Sequence, residues 1–209
     1  MRLVLASNNP GKLTELQALF APLGLVLVAQ GSLDIGEAEE PHVSFVENAL
    51  AKARHAARAA NGAAMADDSG LVVDALGGAP GVISAHFAPV EQAGAGREEH
   101  RRLQDAANNA LLLERLRGRH DRSARFVSTL VALRNADDPE PLIATGRWAA
   151  EIAEVPRGEG GFGYDPLVFI PALRKTVAEL DAAAKNAASH RALAARQMLV
   201  MMRDIWRLG

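Results

Sequence analysis

Ala63-Ala64-Met65-Ala66-Asp67-Asp68-Ser69-Gly70-Leu71-Val72-Val73-Asp74-Ala75-Leu76 sets two apolar runs, 63–67 and 71–76, around Asp68-Ser69-Gly70. Short apolar runs bounded by turn-forming residues read as strands, and Asp, Ser and Gly favour turns. The stretch is therefore expected to be two strands meeting at a tight acidic turn. Downstream, 125–134 alternates at Phe126, Ser128 and Leu130, and 141–154 reads as its neighbour, with Asp137-Asp138-Pro139 turning between them. Upstream, 3–6 and 25–29 read as strands, and 12–20 carries Leu13, Leu16, Leu19 and Phe20 at helical spacing. Residues 45–60 form a long alanine-rich helix, opened by a capping box of Ser44 and Glu47. Residues 97–116 read as a further helix, Thr176 and Glu179 as a second capping box, and Ser189 as the cap of a last helix reaching about residue 208. Strands and helices intermix without strict alternation, and hairpins are expected near Asp68 and Asp138. The fold class is α/β, a mixed central sheet flanked by helices.

With 209 residues, the chain fits a single domain better than two independent ones. Charged residues make up 23% and hydrophobic ones 49%, and no apolar run is long enough to cross a bilayer, so no membrane partner is expected. The start, Met1-Arg2-Leu3-Val4-Leu5-Ala6-Ser7, lacks the apolar core of a secretory signal, which makes a cytoplasmic location the expectation. There is no cysteine, so disulfides, thiolate metal sites and cysteine nucleophiles are excluded, and a metal must be held by oxygen or imidazole. A net charge of −2 offers nothing global to a nucleic acid, so an anionic partner would be small.

Five segments can carry chemistry. Ser7-Asn8-Asn9-Pro10-Gly11-Lys12 lies between a strand and a helix, where backbone N–H groups and the helix dipole favour an anion. It is either such a site or a capping turn with a solvated lysine. It is not a P-loop, which needs glycine where Ala6 stands and a hydroxyl where Leu13 stands. Phe45, Asn48, Ala49 and Lys52 share a helical face, which is solvated unless it borders an anion. Asp67 and Asp68 end an apolar run side by side, and their repulsion can be relieved by a divalent cation or accommodated by a turn. Gly158-Glu159-Gly160-Gly161-Phe162-Gly163 matches a dinucleotide-binding pattern literally. However, Leu167-Val168-Phe169-Ile170 after Pro166 predicts a strand where that pattern needs a helix. The loop is of another sort, able to bring backbone close to a ligand or to form a hairpin with one buried aromatic. Finally, His190 and Arg191 in the first turn behind Ser189 oppose the helix dipole and call for an acid or a ligand.

Taken in order, Ser7-Asn8-Asn9-Pro10-Gly11-Lys12, Phe45-Val46-Glu47-Asn48-Ala49 with Lys52, Ala66-Asp67-Asp68-Ser69-Gly70-Leu71, Gly78-Ala79-Pro80-Gly81, Gly160-Gly161-Phe162-Gly163-Tyr164-Asp165-Pro166 and Ser189-His190-Arg191 resemble the Ham1-like inosine-triphosphate pyrophosphatases over nearly the whole chain. The resemblance implies one domain over 1–209 with an elongated mixed sheet, two lobes with a nucleotide cleft between them, and a homodimer. It implies hydrolysis of ITP, dITP and XTP to the monophosphate and pyrophosphate with Mg2+. By the same resemblance, residues 7–12 and Lys52 would grip the triphosphate, and Glu40 and Asp68 would hold the metal. Asp68 would act as or orient the base, Asp67 would assist, and Ser69 would contact substrate. Phe162, with Gly163 and Tyr164, would meet the purine, and Asp165, Lys185, His190 and Arg191 would line its edge. Donors there suit the C6 oxygen of inosine and xanthosine and mismatch adenine. Where the family often reads Tyr-Ser-Ala-Arg-Tyr after the Gly81 motif, this chain has Ile83-Ser84-Ala85-His86-Phe87, and residues 88–105 run longer than is usual in the family. A Maf-like pyrophosphatase for other nucleotides and a non-catalytic nucleotide sensor are the alternatives.

Overall fold

The computed structural model of the chain describes residues 2–90 and 96–208. The elements run β1 (Arg2–Leu5), α1 (Pro10–Phe20), β2 (Val26–Ala29), α2 (Phe45–Ala60), β3 (Ala64–Val73), α3 (Arg97–Arg115), β4 (Ser123–Leu133), β5 (Leu142–Ile152), β6 (Val168–Ile170), β7 (Lys175–Thr176), α4 (Ala182–Ala188) and α5 (His190–Asp204). The strands form one sheet in the order β2-β1-β3-β4-β5-β6-β7. β1 pairs in parallel with β2 and β3, whereas β6 is antiparallel to β5 and β7, so the sheet is mixed as expected. Two compact units share the chain: Met1–Ser69, Val127–Arg147 and Asn186–Gly209 make the first, and Gly70–Phe126 and Trp148–Lys185 the second.

The expected hairpin at Asp68 does not form. Asp67, Asp68, Ser69 and Gly70 lie inside β3, a single strand buried along almost its whole length. Partners elsewhere in the fold engage Asp67, Ser69 and one oxygen of Asp68, so local turn preference is overridden. Side chains alternate across a strand, and this alternation sorts the first unit. Leu3, Leu5 and Met65 pack with Leu16 and Phe20 of α1 and with Ala194, Ala195, Met198 and Met202 of α5. Val4, Ala6, Ala64 and Ala66 pack on the other face against Ala49, Ala53, Ala56 and Ala57 of α2. Alanine stripes let α2 lie close on the sheet. Gly146 of β5 gives α5 the same intimacy, because a Cβ there would collide with the His190 carbonyl.

Local signals placed most other boundaries. Ser44 caps α2, its hydroxyl accepting the Glu47 N–H, an interaction worth about 1 kcal/mol. Thr176 and Glu179 form their capping box, and the Ser189 hydroxyl accepts the Ala192 N–H. β4 and β5 are neighbours joined through a turn in which the Asp138 carboxylate accepts hydrogen bonds from the Arg134 guanidinium and the Arg134 and Glu140 N–H groups. α5 ends at Asp204, short of the expected residue 208. Residues 91–95 of the expected long stretch lie outside the described residues. Among those described, no helix is long and apolar enough to cross a membrane.

Candidate active site

The alternation of β3 sends Asp67 toward α1 and α5 and Asp68 toward α2. Asp67 is 1% exposed, and both carboxylate oxygens are engaged. One accepts from Ser128 (2.7 Å). The other meets Lys12 Nζ (3.0 Å), Arg191 Nε (3.2 Å) and Ser69 Oγ (3.1 Å). Burial alone would raise its pKa. The Lys12 and Arg191 charges and the Ser128 hydroxyl outweigh burial and hold the carboxyl far below the usual range. Arg191, 2% exposed, also pairs with Glu15 and donates to Ser69 Oγ at 3.1 Å. Asp67 and Glu15 are the acids that the first turn of α5 required. Burial lowers the Lys12 pKa, against the pull of Asp67.

On the opposite face, Lys52 Nζ of α2 lies 2.8 Å from Glu40 Oε2 and 2.8 Å from Asp68 Oδ1. Asp68 is 5% exposed, and its Oδ2 is buried with no hydrogen-bond partner. Burial pushes this carboxyl up to about 6; Glu40 adds to the rise, and Lys52 opposes it. Lys52 is raised, its carboxylate neighbours outweighing burial, and Lys52 in turn lowers Glu40 against burial. Asn48, expected on the same helical face as Lys52, is buried. Its side chain accepts from the His42 N–H and donates to the His42 carbonyl, which fixes the segment following Glu40.

The loop 7–12 is a capped helix start. Asn9 Oδ1 accepts the Gly11 and Lys12 N–H groups, the Asn9 N–H donates to Ser7 Oγ, and Pro10 opens α1. The capping alternative therefore holds for the backbone, whereas Lys12 is partly buried and ion-paired to Asp67 and not a solvated lysine. Asn8 accepts from the Gly31 N–H and donates to Glu37.

In the second unit, the glycine-rich loop is followed by strand β6, so the dinucleotide pattern is excluded. Asp165 Oδ2 accepts from the Phe162 N–H (3.0 Å) and pairs with Lys185 Nζ (2.9 Å). The Lys185 ammonium lies 4.7 Å from the centroid of the Phe162 ring, within cation–π range. A side chain at Gly161 would strike the Asp165 carboxylate. Tyr164 is buried, and its hydroxyl donates to the Ser84 carbonyl.

The structure thus brings Lys12, Asp67, Ser69 and Arg191 together, Lys52, Glu40 and Asp68 together, and Phe162, Asp165 and Lys185 together. Arg191 belongs to the first group. It was expected at a purine edge, but its guanidinium is engaged by Glu15, Asp67 and Ser69. His190 is buried at the start of α5. Glu15 and Ser128 were not foreseen. Glu15 stands one helical turn after Lys12, and Ser128 is a polar residue in a buried alternating strand, and these positions were the available signals.

Residues 3–201 match the model of the Ham1 family. The chain is 69% identical over 206 residues to a dITP/XTP pyrophosphatase of Methylibium petroleiphilum, covering 99% of both chains. It is 64% identical to one of Leptothrix cholodnii, covering 100% of both. Among solved structures, the Ham1 protein of Coxiella burnetii superposes with TM-score 0.85 at 41% identity, over 97% of this chain and 98% of that one. The Staphylococcus aureus Ham1 protein gives TM-score 0.81 at 34% identity over the same shares.

Proposed function

The chain belongs to the Ham1 family, and from that premise and the geometry of its side-chain groups we propose that it is a nucleoside-triphosphate pyrophosphatase. Its substrates are the non-canonical purine nucleotides ITP, dITP and XTP, hydrolysed to the monophosphate and pyrophosphate. The observation that supports this most is Asp68, a buried carboxylate with raised basicity, one unpartnered oxygen, and a lysine at the other oxygen.

In this reading Asp68 takes a proton from water as that water attacks the α-phosphorus, and the β-phosphate oxygen leaves with pyrophosphate. Lys12 and Lys52 offset the charge of the triphosphate. Asp67 assists indirectly, as the counter-ion that fixes Lys12. The donor set suits Mg2+: the carboxylates of Glu40 and Asp68 offer hard oxygen ligands that would hold it. Among the described residues no group of three or more acids or imidazoles that could hold a metal occurs, so these two carboxylates are the protein oxygens that would hold the ion. When bound, the ion would neutralise phosphate charge and order the attacking water. Phe162 stacks on the base, and the Lys185 donor, oriented by Asp165, suits an oxygen at C6. Ser7, Asn8, Asn9 and Gly11 shape the backbone that carries Lys12. Arg191 acts through Asp67 and Ser69. A homodimer is part of the same reading, supported by family likeness.

The test is to incubate the protein with Mg2+ and ITP, XTP, dITP, GTP, ATP or dTTP, assaying pyrophosphate and orthophosphate separately. Pyrophosphate from the first three is expected. Orthophosphate as the primary product would sink the mechanism, and equal rates on ATP and ITP would sink the proposed reading of the base.

A further inference from the structure

One polar face of α3 is spent on the loop that carries Phe162. Asp105 accepts the Gly163 N–H at 2.9 Å, and Asn109, one helical turn on, donates to the Gly163 carbonyl at 3.0 Å. Both backbone groups of a single residue, next to Phe162 in sequence, are therefore held by side chains of one helix. Gly163 adopts φ +62°, the left-handed region, so the loop turns sharply where it is gripped. The Asn109 amide orientation is dictated by this contact: its Oδ1 is buried without a partner, and flipping the amide would set oxygen against the Gly163 carbonyl.

The same helix face braces a second segment. Asn108 donates to the Ser84 and Ala85 carbonyls and accepts the Ala88 N–H, and Gln104 donates to the Ala88 carbonyl. The Tyr164 hydroxyl also ends on the Ser84 carbonyl. Gly163 and Tyr164 are thus anchored through α3 and the segment it braces, while Asp165 ties the Phe162 N–H to Lys185. Nothing in this clamp carries out a chemical step. Its product is a fixed position for one aromatic ring.

We propose that Asp105 and Asn109 are positioning residues that set the Phe162 ring for base recognition by gripping Gly163 from both sides. The proposal rests on the reading that Phe162 stacks on the base. Loss of the grip costs base binding and leaves the phosphate chemistry of Asp68 intact, so it is read in KM and not in kcat.

The test uses full-length protein with ITP and Mg2+, comparing Asp105→Ala, Asp105→Asn, Asn109→Ser, Phe162→Ala and the Asp105→Ala/Phe162→Ala pair, with hydrogen exchange of the Gly163 amide measured in each. Asp105→Ala and Asn109→Ser are expected to raise KM about tenfold, with kcat within about twofold. Gly163 exchange speeds up in Asp105→Ala. Asp105→Asn, which keeps an acceptor oxygen, restores both readouts. Adding Asp105→Ala to Phe162→Ala should change KM no further, since the two act through one ring. An unchanged KM in Asp105→Ala and Asn109→Ser beside a raised KM in Phe162→Ala overturns the clamp and spares the stacking. An additive double variant, or failure of Asp105→Asn to rescue, overturns it as well. An unchanged KM in Phe162→Ala removes the stacking and the proposal with it. Should Asp105→Ala not fold, Asn109→Ser and Asp105→Asn decide by the same measurements.

Discussion

The two faces of β3 meet the same problem, a buried aspartate, with opposite solutions. Toward α1 and α5, Asp67 is enclosed by Lys12, Arg191, Ser69 and Ser128, and its carboxyl is held ionised. Toward α2, Asp68 has Lys52 on one oxygen and no hydrogen-bond partner on the other, and burial, with Glu40 nearby, leaves it basic. A saturated carboxylate holds structure, and an incompletely paired one retains capacity for a ligand or a proton. One residue of register separates the two roles.

The difference can be broken by mutation. Asp67→Ala takes the carboxylate from Lys12 and leaves the buried Arg191 with Glu15 alone, and should cost about 3–5 kcal/mol of stability, measured by denaturant unfolding. A loss below about 1 kcal/mol would mean that the network is not the anchor described. Glu15→Gln removes the second charge from Arg191 but keeps an acceptor, and should cost about 1.5–3 kcal/mol in the same experiment.

The smallest effect sharpens the comparison through pH. A depressed carboxyl such as Asp67 contributes stability above its unfolded pKa, lost as pH falls through the folded value. A raised one such as Asp68 binds its proton more tightly in the folded state, so stability declines as pH rises from the unfolded value through about 6. In metal-free protein, Asp68→Asn should therefore have a Tm equal to or above that of the wild type at pH 8, with the gap closing at pH 5. A Tm well below the wild type at pH 8 would assign Asp68 an anchoring role like that of Asp67.

How much of this was legible in the sequence follows from where each signal resides. α2 was placed to the residue because Ser44, Glu47 and the alanine stripe are local, and the turn at Asp138 is held by neighbours in sequence. The continuity of β3 was not legible. Asp-Asp-Ser-Gly prefers a turn, and the groups that override the preference lie far along the chain, Lys12 55 residues before Asp67, Ser128 61 after it and Arg191 124 after it. Reading a turn there also hid the opposite facing of the two acids. The residue types at the site were visible together, but their division into a fully partnered carboxylate and an incompletely paired one depends on strand alternation. Asp105 and Asn109 went unnoticed for the same reason: the backbone they hold lies 58 and 54 residues away.

The central claim, that Asp68 and not Asp67 is the reacting carboxylate, is tested most directly by the turnover of ITP by Asp68→Asn at saturating substrate and Mg2+, with folding verified by its Tm. The account predicts a folded protein whose kcat is reduced about 10²–10⁴-fold. A folded Asp68→Asn protein that keeps kcat within about tenfold of the wild type would fall outside that range and contradict it.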